Sequence, residues 1–210
     1  LHRATVTISA DGVSPTKQVT FGLRNLVVKD KRILINSRPI FLRGTLECCI
    51  FPLTGSPPMD VYGWLRVIRV AKTYGLNHLR FHSWCPPEAA FEAADREGFY
   101  LHVEAPQWVH NVGQDAPRDA FIEAEFRRIA NAYGNHPSFL ILCGGNELLG
   151  DTKFLSRLVA SAKRHDQRHL VVVAEGAAVV HDRRAGGARD RHPFLRQRVR
   201  DGREHDVQVR

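Results

Sequence analysis

Phe139-Leu140-Ile141-Leu142-Cys143-Gly144-Gly145-Asn146-Glu147 decides how this chain is read. Five apolar residues in a row, launched by Asn135-His136-Pro137-Ser138, form a short strand covered on both faces. Pro137 pushes His136 out of helical conformation and closes the segment before the strand, so His136 is expected to cap or pack. A glycine turn, an amide and a carboxylate then sit at the strand's C-terminal end. In parallel α/β proteins that end is where ligands bind.

The same unit recurs on either side. Strands are expected to start near residues 40, 76, 99, 139 and 170. The first runs through Ile40-Phe41-Leu42 to Arg43. The others cover Leu76 to His82, Phe99 to Glu104, Phe139 to Cys143 and Leu170 to Ala174. Between them lie helical patterns. Asp60 caps a helix with Val61, Trp64, Leu65, Ile68 and Ala71 at helical spacing, and Gly75 suits its left-handed stop. Pro86-Pro87 opens Glu88 to Glu97, stopped by Gly98. Helices over 119–133, stopped by Gly134, and over 152–165 follow. Strands alternating with helices specify a parallel sheet. The fold expected is α/β, the first five or so units of a (β/α)8 TIM barrel, spanning 28–180.

Residues 1–27 differ. Ala4, Val6 and Ile8 alternate with Thr5, Thr7 and Ser9; Asp11-Gly12 makes a turn, and Val19-Thr20-Phe21 resumes the extended pattern. This reads as the last hairpin of a β-sandwich. Residues 181–210 hold nine Arg, five Asp or Glu and seven apolar residues without a period, and read as a disordered or frame-shifted tail.

Composition excludes several classes. No apolar run reaches the roughly 20 residues that span a bilayer, so a membrane partner is not expected. Leu1 opens the chain without a charged-then-apolar leader, so a signal peptide is expected to be absent or to lie outside this sequence, and the compartment stays open. The net charge of +8 is half carried by the Arg-rich tail, where acids interleave with the arginines; a nucleic-acid partner is not expected. Cys48, Cys49, Cys85 and Cys143 contain no C-x-x-C pair, and adjacent cysteines bridge poorly, so the thiols are expected free.

Every expected strand ends in polar residues. Glu147 reads as a general acid that protonates a leaving oxygen and then, as base, activates water; the alternative is a helix N-terminal carboxylate. Asn146 would bind a sugar hydroxyl beside the reacting carbon, or tie down its loop. Arg80 and His82, two apart on a strand, share one face, gripping hydroxyls or forming an ion pair beneath the site. Glu104 holds a hydroxyl or balances Arg80. Trp84 and Trp108 offer flat faces to sugar rings or fill the core. Arg43 and Glu175 are weaker candidates, better suited to structural salt bridges.

These segments, as an ordered set, resemble glycoside hydrolase family 2, which includes β-galactosidases, β-glucuronidases and β-mannosidases. Phe21-Gly22-Leu23-Arg24 resembles the end of that family's immunoglobulin-like domain. Ile35 to Gly44 resembles its approach to the barrel, with Ser37 where Gly is usual. Gly75-Leu76-Asn77-His78-Leu79-Arg80 and Ala94-Asp95-Arg96-Glu97-Gly98-Phe99-Tyr100 resemble the segments leading into strands two and three. Asn135 to Glu147 resembles the fourth strand with its acid/base glutamate. The resemblance implies a retaining glycosidase acting on a β-glycoside, with Glu147 as acid/base, Asn146 as its partner and no organic cofactor. Some members bind magnesium or sodium; their ligands have no match here, and no metal is expected. The family's nucleophile is a glutamate on the seventh strand, which Glu175 does not match. Without it, the competing reading is a non-catalytic carbohydrate-binding remnant.

Overall fold

A computed structural model describes residues 1–9, 14–173, 194–198 and 204–208. Two small antiparallel units come first. Strands β1 (His2–Thr7) and β2 (Thr16–Phe21) form a hairpin whose residues are almost all exposed. Its expected Asp11-Gly12 turn lies outside the described residues. Strands β3 (Leu26–Lys29), β4 (Arg32–Ile35) and β5 (Arg38–Ile40) form a three-stranded meander.

The main body alternates strand and helix: β6 (Gly44–Glu47), α1 (Val61–Thr73), β7 (His78–Phe81), α2 (Glu88–Glu97), β8 (Tyr100–Glu104), α3 (Ala116–Tyr133), β9 (Phe139–Cys143), α4 (Thr152–His165) and β10 (Leu170–Val172). The five strands pair in parallel in the order β10-β9-β8-β7-β6, neighbours in sequence lying side by side. This is the sheet of a partial α/β barrel. Beyond it, β11 (Phe194–Arg198) pairs antiparallel with β12 (Glu204–Gln208). Those strands stand where the apolar count led us to expect no regular structure. Their register sets Arg196 across from Asp206 and Arg198 across from Glu204.

The first parallel strand corrects the sequence reading. Arg38–Ile40 belongs to the antiparallel meander, and the parallel sheet begins at Gly44. Arg43 therefore precedes the first barrel strand instead of ending it. Its guanidinium donates to the Gly75 carbonyl (2.6 Å), away from the strand ends that carry Arg80 and Glu104. Glu175 lies outside the described residues.

Helix ends follow their local chemistry. The Asp60 carboxylate accepts from the Gly63 N–H (2.9 Å), and Asp115 and Asp151 cap α3 and α4 in the same way. Gly98 ends α2 at φ 61°, a backbone that favours glycine.

Pleat alternation divides the sheet. Leu79, Phe81, Leu101, Val103, Leu142 and Val171 face the helices and pack with Trp64, Ile68, Phe91 and Phe126. The register sets His78, Arg80, His102, Glu104, Ile141, Cys143, Leu170 and Val172 on the other face. The meander covers the apolar part of that face: Ile33 packs with Ile141, Cys143, Leu170 and Val172.

Arg24 clamps the link from the hairpin to the barrel. Its guanidinium donates to the carbonyls of Pro137 (2.8 Å), Phe139 (2.5 Å) and Arg168 (2.7 Å). Burial lowers its pKa to about 10. Arg24→Ala removes charged donors from three carbonyls at once. It is expected to lower unfolding stability by about 2–4 kcal/mol, measured by urea denaturation.

Candidate active site

Four strand ends build the site. Arg80 on β7 extends to Glu104 on β8, Nε to Oε1 at 2.6 Å, and to Asn146 after β9, Nη2 to Oδ1 at 2.8 Å. Glu104 is fully buried, and its second oxygen accepts the Ser83 N–H at 2.6 Å. Both carboxylate oxygens are thus engaged, one with Arg80 and one with the loop after β7. One guanidinium ties three strand ends together. Of the alternatives read from sequence, the one in which Glu104 balances Arg80 matches this geometry.

Around this buried trio the polar groups are tuned by their surroundings. Burial pushes the Glu104 carboxyl upward, opposed by Arg80 and the Ser83 N–H. Burial holds His102 well below its ordinary range, with the charges of His78 and Arg80 adding to it. His78 is lowered to about 4, by burial first and Arg80 second. An unfolded His78 titrates near its ordinary 6.5, so between about pH 6.5 and 4 the unfolded chain takes a proton that the folded chain refuses. Stability therefore falls as pH drops through that window. His78→Gln is expected to flatten the fall, read from urea midpoints between pH 7 and 4.

Asn146 and Glu147 part company. Asn146 is buried and fixed by Arg80, whereas Glu147 is exposed at the rim, with φ 45°. Ser83 after β7 (φ 60°) and Cys49 after β6 (φ 56°) share that left-handed backbone. Three non-glycine residues in a costly conformation thus follow three strand ends of one sheet face.

The turn before Glu147 is clasped by Gln107. Its Nε2 donates to the Gly144 carbonyl (2.8 Å), and its own carbonyl accepts the Asn146 N–H (3.1 Å). A Cβ at Gly145 would collide with that Gln107 carbonyl, and φ is 141° there, so both space and backbone call for glycine.

The aromatic candidates separate. Trp84 packs edge-on against Phe81 (5.3 Å between ring centroids) and near Trp64, and its Nε1 donates to the Glu47 carbonyl (3.1 Å). Trp108 is exposed, its ring meeting the half-buried His82 edge-to-face at 5.3 Å. His136 accepts its structural role, with Nδ1 2.7 Å from Asp95 Oδ2. Sequence reading missed Gln107 and Glu47. Glu47 ends β6, binds the Cys49 N–H through its carboxylate (3.1 Å), and would have been found had the first strand been placed at Gly44.

Parallel strand–helix units with polar groups gathered at the C-terminal strand ends define a catalytic-barrel architecture. The model for glycosyl hydrolases family 2, TIM barrel domain, matches residues 26–186, and the chain belongs to that family. It is 28% identical over 133 residues to a β-galactosidase of Leuconostoc mesenteroides, covering 60% of this chain and 13% of that protein. Among solved structures it is similar to a β-glucuronidase of Parabacteroides merdae (TM-score 0.71, 22% identity, 81% of this chain and 23% of that one). It is also similar to the β-D-glucuronidase of Dictyoglomus thermophilum (TM-score 0.73, 19% identity, 81% and 32%). At these identities the structural likeness establishes the fold. The chain spans between an eighth and a third of these relatives' lengths.

Proposed function

We propose that this chain supplies the acid/base half of a retaining β-glycoside hydrolase. Glu147 protonates the leaving glycosidic oxygen and then deprotonates the attacking water. The observation that carries this reading is the contrast between neighbours at the end of β9. Asn146 is locked by Arg80, while Glu147 stays accessible on a strained backbone. A rigid amide beside an accessible acid suits a saccharide bound against the rim.

In this reading Arg80 and Glu104 are positioning residues. Their pairing fixes Asn146, whose amide nitrogen is left to donate to a sugar hydroxyl. The exposed Trp108 face, braced by His82, is an apolar platform for a sugar ring. Trp84 contributes through packing beneath the loop after β7. The second carboxylate, the nucleophile of the retaining mechanism, is a glutamate on the seventh strand of the completed barrel. Residues 1–27 are the closing hairpin of an immunoglobulin-like domain, and 28–180 the barrel portion.

Hydrolysis of aryl β-galactoside, β-glucuronide and β-mannoside tests the reading. The 210-residue chain alone is expected to be inert. The polypeptide carrying the completed barrel is expected to turn over at least one of the three. Sugar binding without turnover by the completed barrel would instead leave a non-catalytic binding module.

A further inference from the structure

Below Arg80, on the inner face of the sheet, three side chains of zinc-ligand type come together among the described residues. His102 and Glu104 project from β8 and Cys143 from β9, where the register pairs Glu104 with Cys143. One donor atom from each lies within 4.8 Å of the others. All three residues are buried, at 7%, 0% and 1% exposure.

The histidine is the telling group. His102 Nε2 is buried, has no hydrogen-bond partner among the described residues, and stands 3.9 Å from Glu104 Oε1. Behind it, the His78 ring lies 5.9 Å away, and its Nε2 is also buried without a hydrogen-bond partner. Buried ring nitrogens are ordinarily satisfied, and an unsatisfied His102 nitrogen beside a carboxylate and a sulfur calls for a ligand.

We propose that His102, Glu104 and Cys143 hold a single thiophilic divalent cation of the zinc class. Imidazole nitrogen, carboxylate oxygen and thiolate sulfur are the donors such an ion takes, with a fourth position left open. An ion bound at about 2.0–2.3 Å holds its ligands roughly 3.5 Å apart. None of the separations exceeds 4.8 Å, and the His102–Glu104 pair is already at 3.9 Å, so the closure that binding requires is within reach of side-chain rotation. Glu104 is already oriented by Arg80 and the Ser83 N–H, as outer partners orient metal-binding carboxylates. Arg80 adds a positive charge beside the site. Binding must therefore convert the Cys143 thiol to thiolate, releasing one proton to solvent, so that two negative charges face the ion. In the free protein the Cys143 sulfur lies 3.4 Å from the Gly145 carbonyl, so metal binding would couple the inner face of the sheet to the turn that presents Asn146 and Glu147. This holds whether or not the chain is part of a hydrolase.

Cobalt(II) titration of the whole chelator-stripped chain tests the proposal, because thiolate ligation gives a charge-transfer band in the near ultraviolet. We expect a band saturating at one equivalent and displaced by zinc. It should be lost in Cys143→Ser and about 10-fold or more weaker in affinity in His102→Gln. Cys48→Ser/Cys49→Ser, which removes the two exposed thiols, should retain it. The absence of a band in the wild-type chain, its persistence in Cys143→Ser, or its loss in the double serine variant each overturns the proposal. If Cys143→Ser does not fold, His102→Gln decides the matter: an unchanged cobalt affinity in that variant overturns the proposal.

Discussion

Arg80→Met is expected to destabilise the fold by about 3–5 kcal/mol, the cost of leaving a buried ionic partner uncompensated. The size of the effect follows from Glu104. That carboxylate has no exposure to water and receives Arg80 on one oxygen and the Ser83 N–H on the other. Methionine fills the volume but donates nothing, so Glu104 must take up a proton or stay charged and unpaired. Asn146 loses its anchor as well. The second expectation separates this from a general loss of packing. Arg80→Met/Glu104→Leu, which removes both charges, should recover much of the stability without restoring the position of Asn146. Urea midpoints of the three proteins at pH 7 read the difference. A single variant as stable as wild type would show that the ion pair does not hold these strand ends together.

Glu147→Gln is expected to lower kcat/KM of the completed barrel by about 100- to 10,000-fold, the usual contribution of a positioned proton donor. Glutamine has nearly the same shape and keeps hydrogen-bonding groups at the rim, so binding should change far less than turnover. Because Glu147 is exposed and its side chain makes no hydrogen bond among the described residues, thermal stability should stay within about 0.5 kcal/mol of wild type. Loss of stability together with activity would point to a structural carboxylate.

Much of this architecture was legible before any coordinates. Phe139–Cys143 could be read to the residue because a strand covered on both faces must be continuously apolar. Asp60 and Gly98 marked helix ends because capping is local chemistry. The first barrel strand was misplaced for the same physical reason. Ile40-Phe41-Leu42 is the more apolar run, whereas Gly44–Glu47 is an edge strand with Leu46 half exposed, and it carries little signal. In the candidate site, the two-residue spacing of Arg80 and His82 predicts a shared direction, but β7 ends at Phe81 and His82 lies just beyond it, against Trp108. Glu104 is readable as a partner for Arg80, but the second contact, to Asn146, depends on how β7, β8 and β9 align, which no single segment encodes. The same holds for Gln107, whose clasp on Gly144 forms only when the loops after β8 and β9 meet. His102 and Cys143 lie 41 positions apart and become neighbours only through strand pairing.

The most direct measurement is the dependence of kcat/KM on leaving-group pKa, for the completed barrel and its Glu147→Gln variant, across a series of aryl β-glycosides. A residue that protonates the departing oxygen matters most when that oxygen is basic. The variant should therefore approach wild-type rates with the most acidic phenols and fall furthest behind with the least acidic, giving a steeper negative slope. Parallel slopes for the two proteins would contradict the assignment of Glu147 as the proton donor.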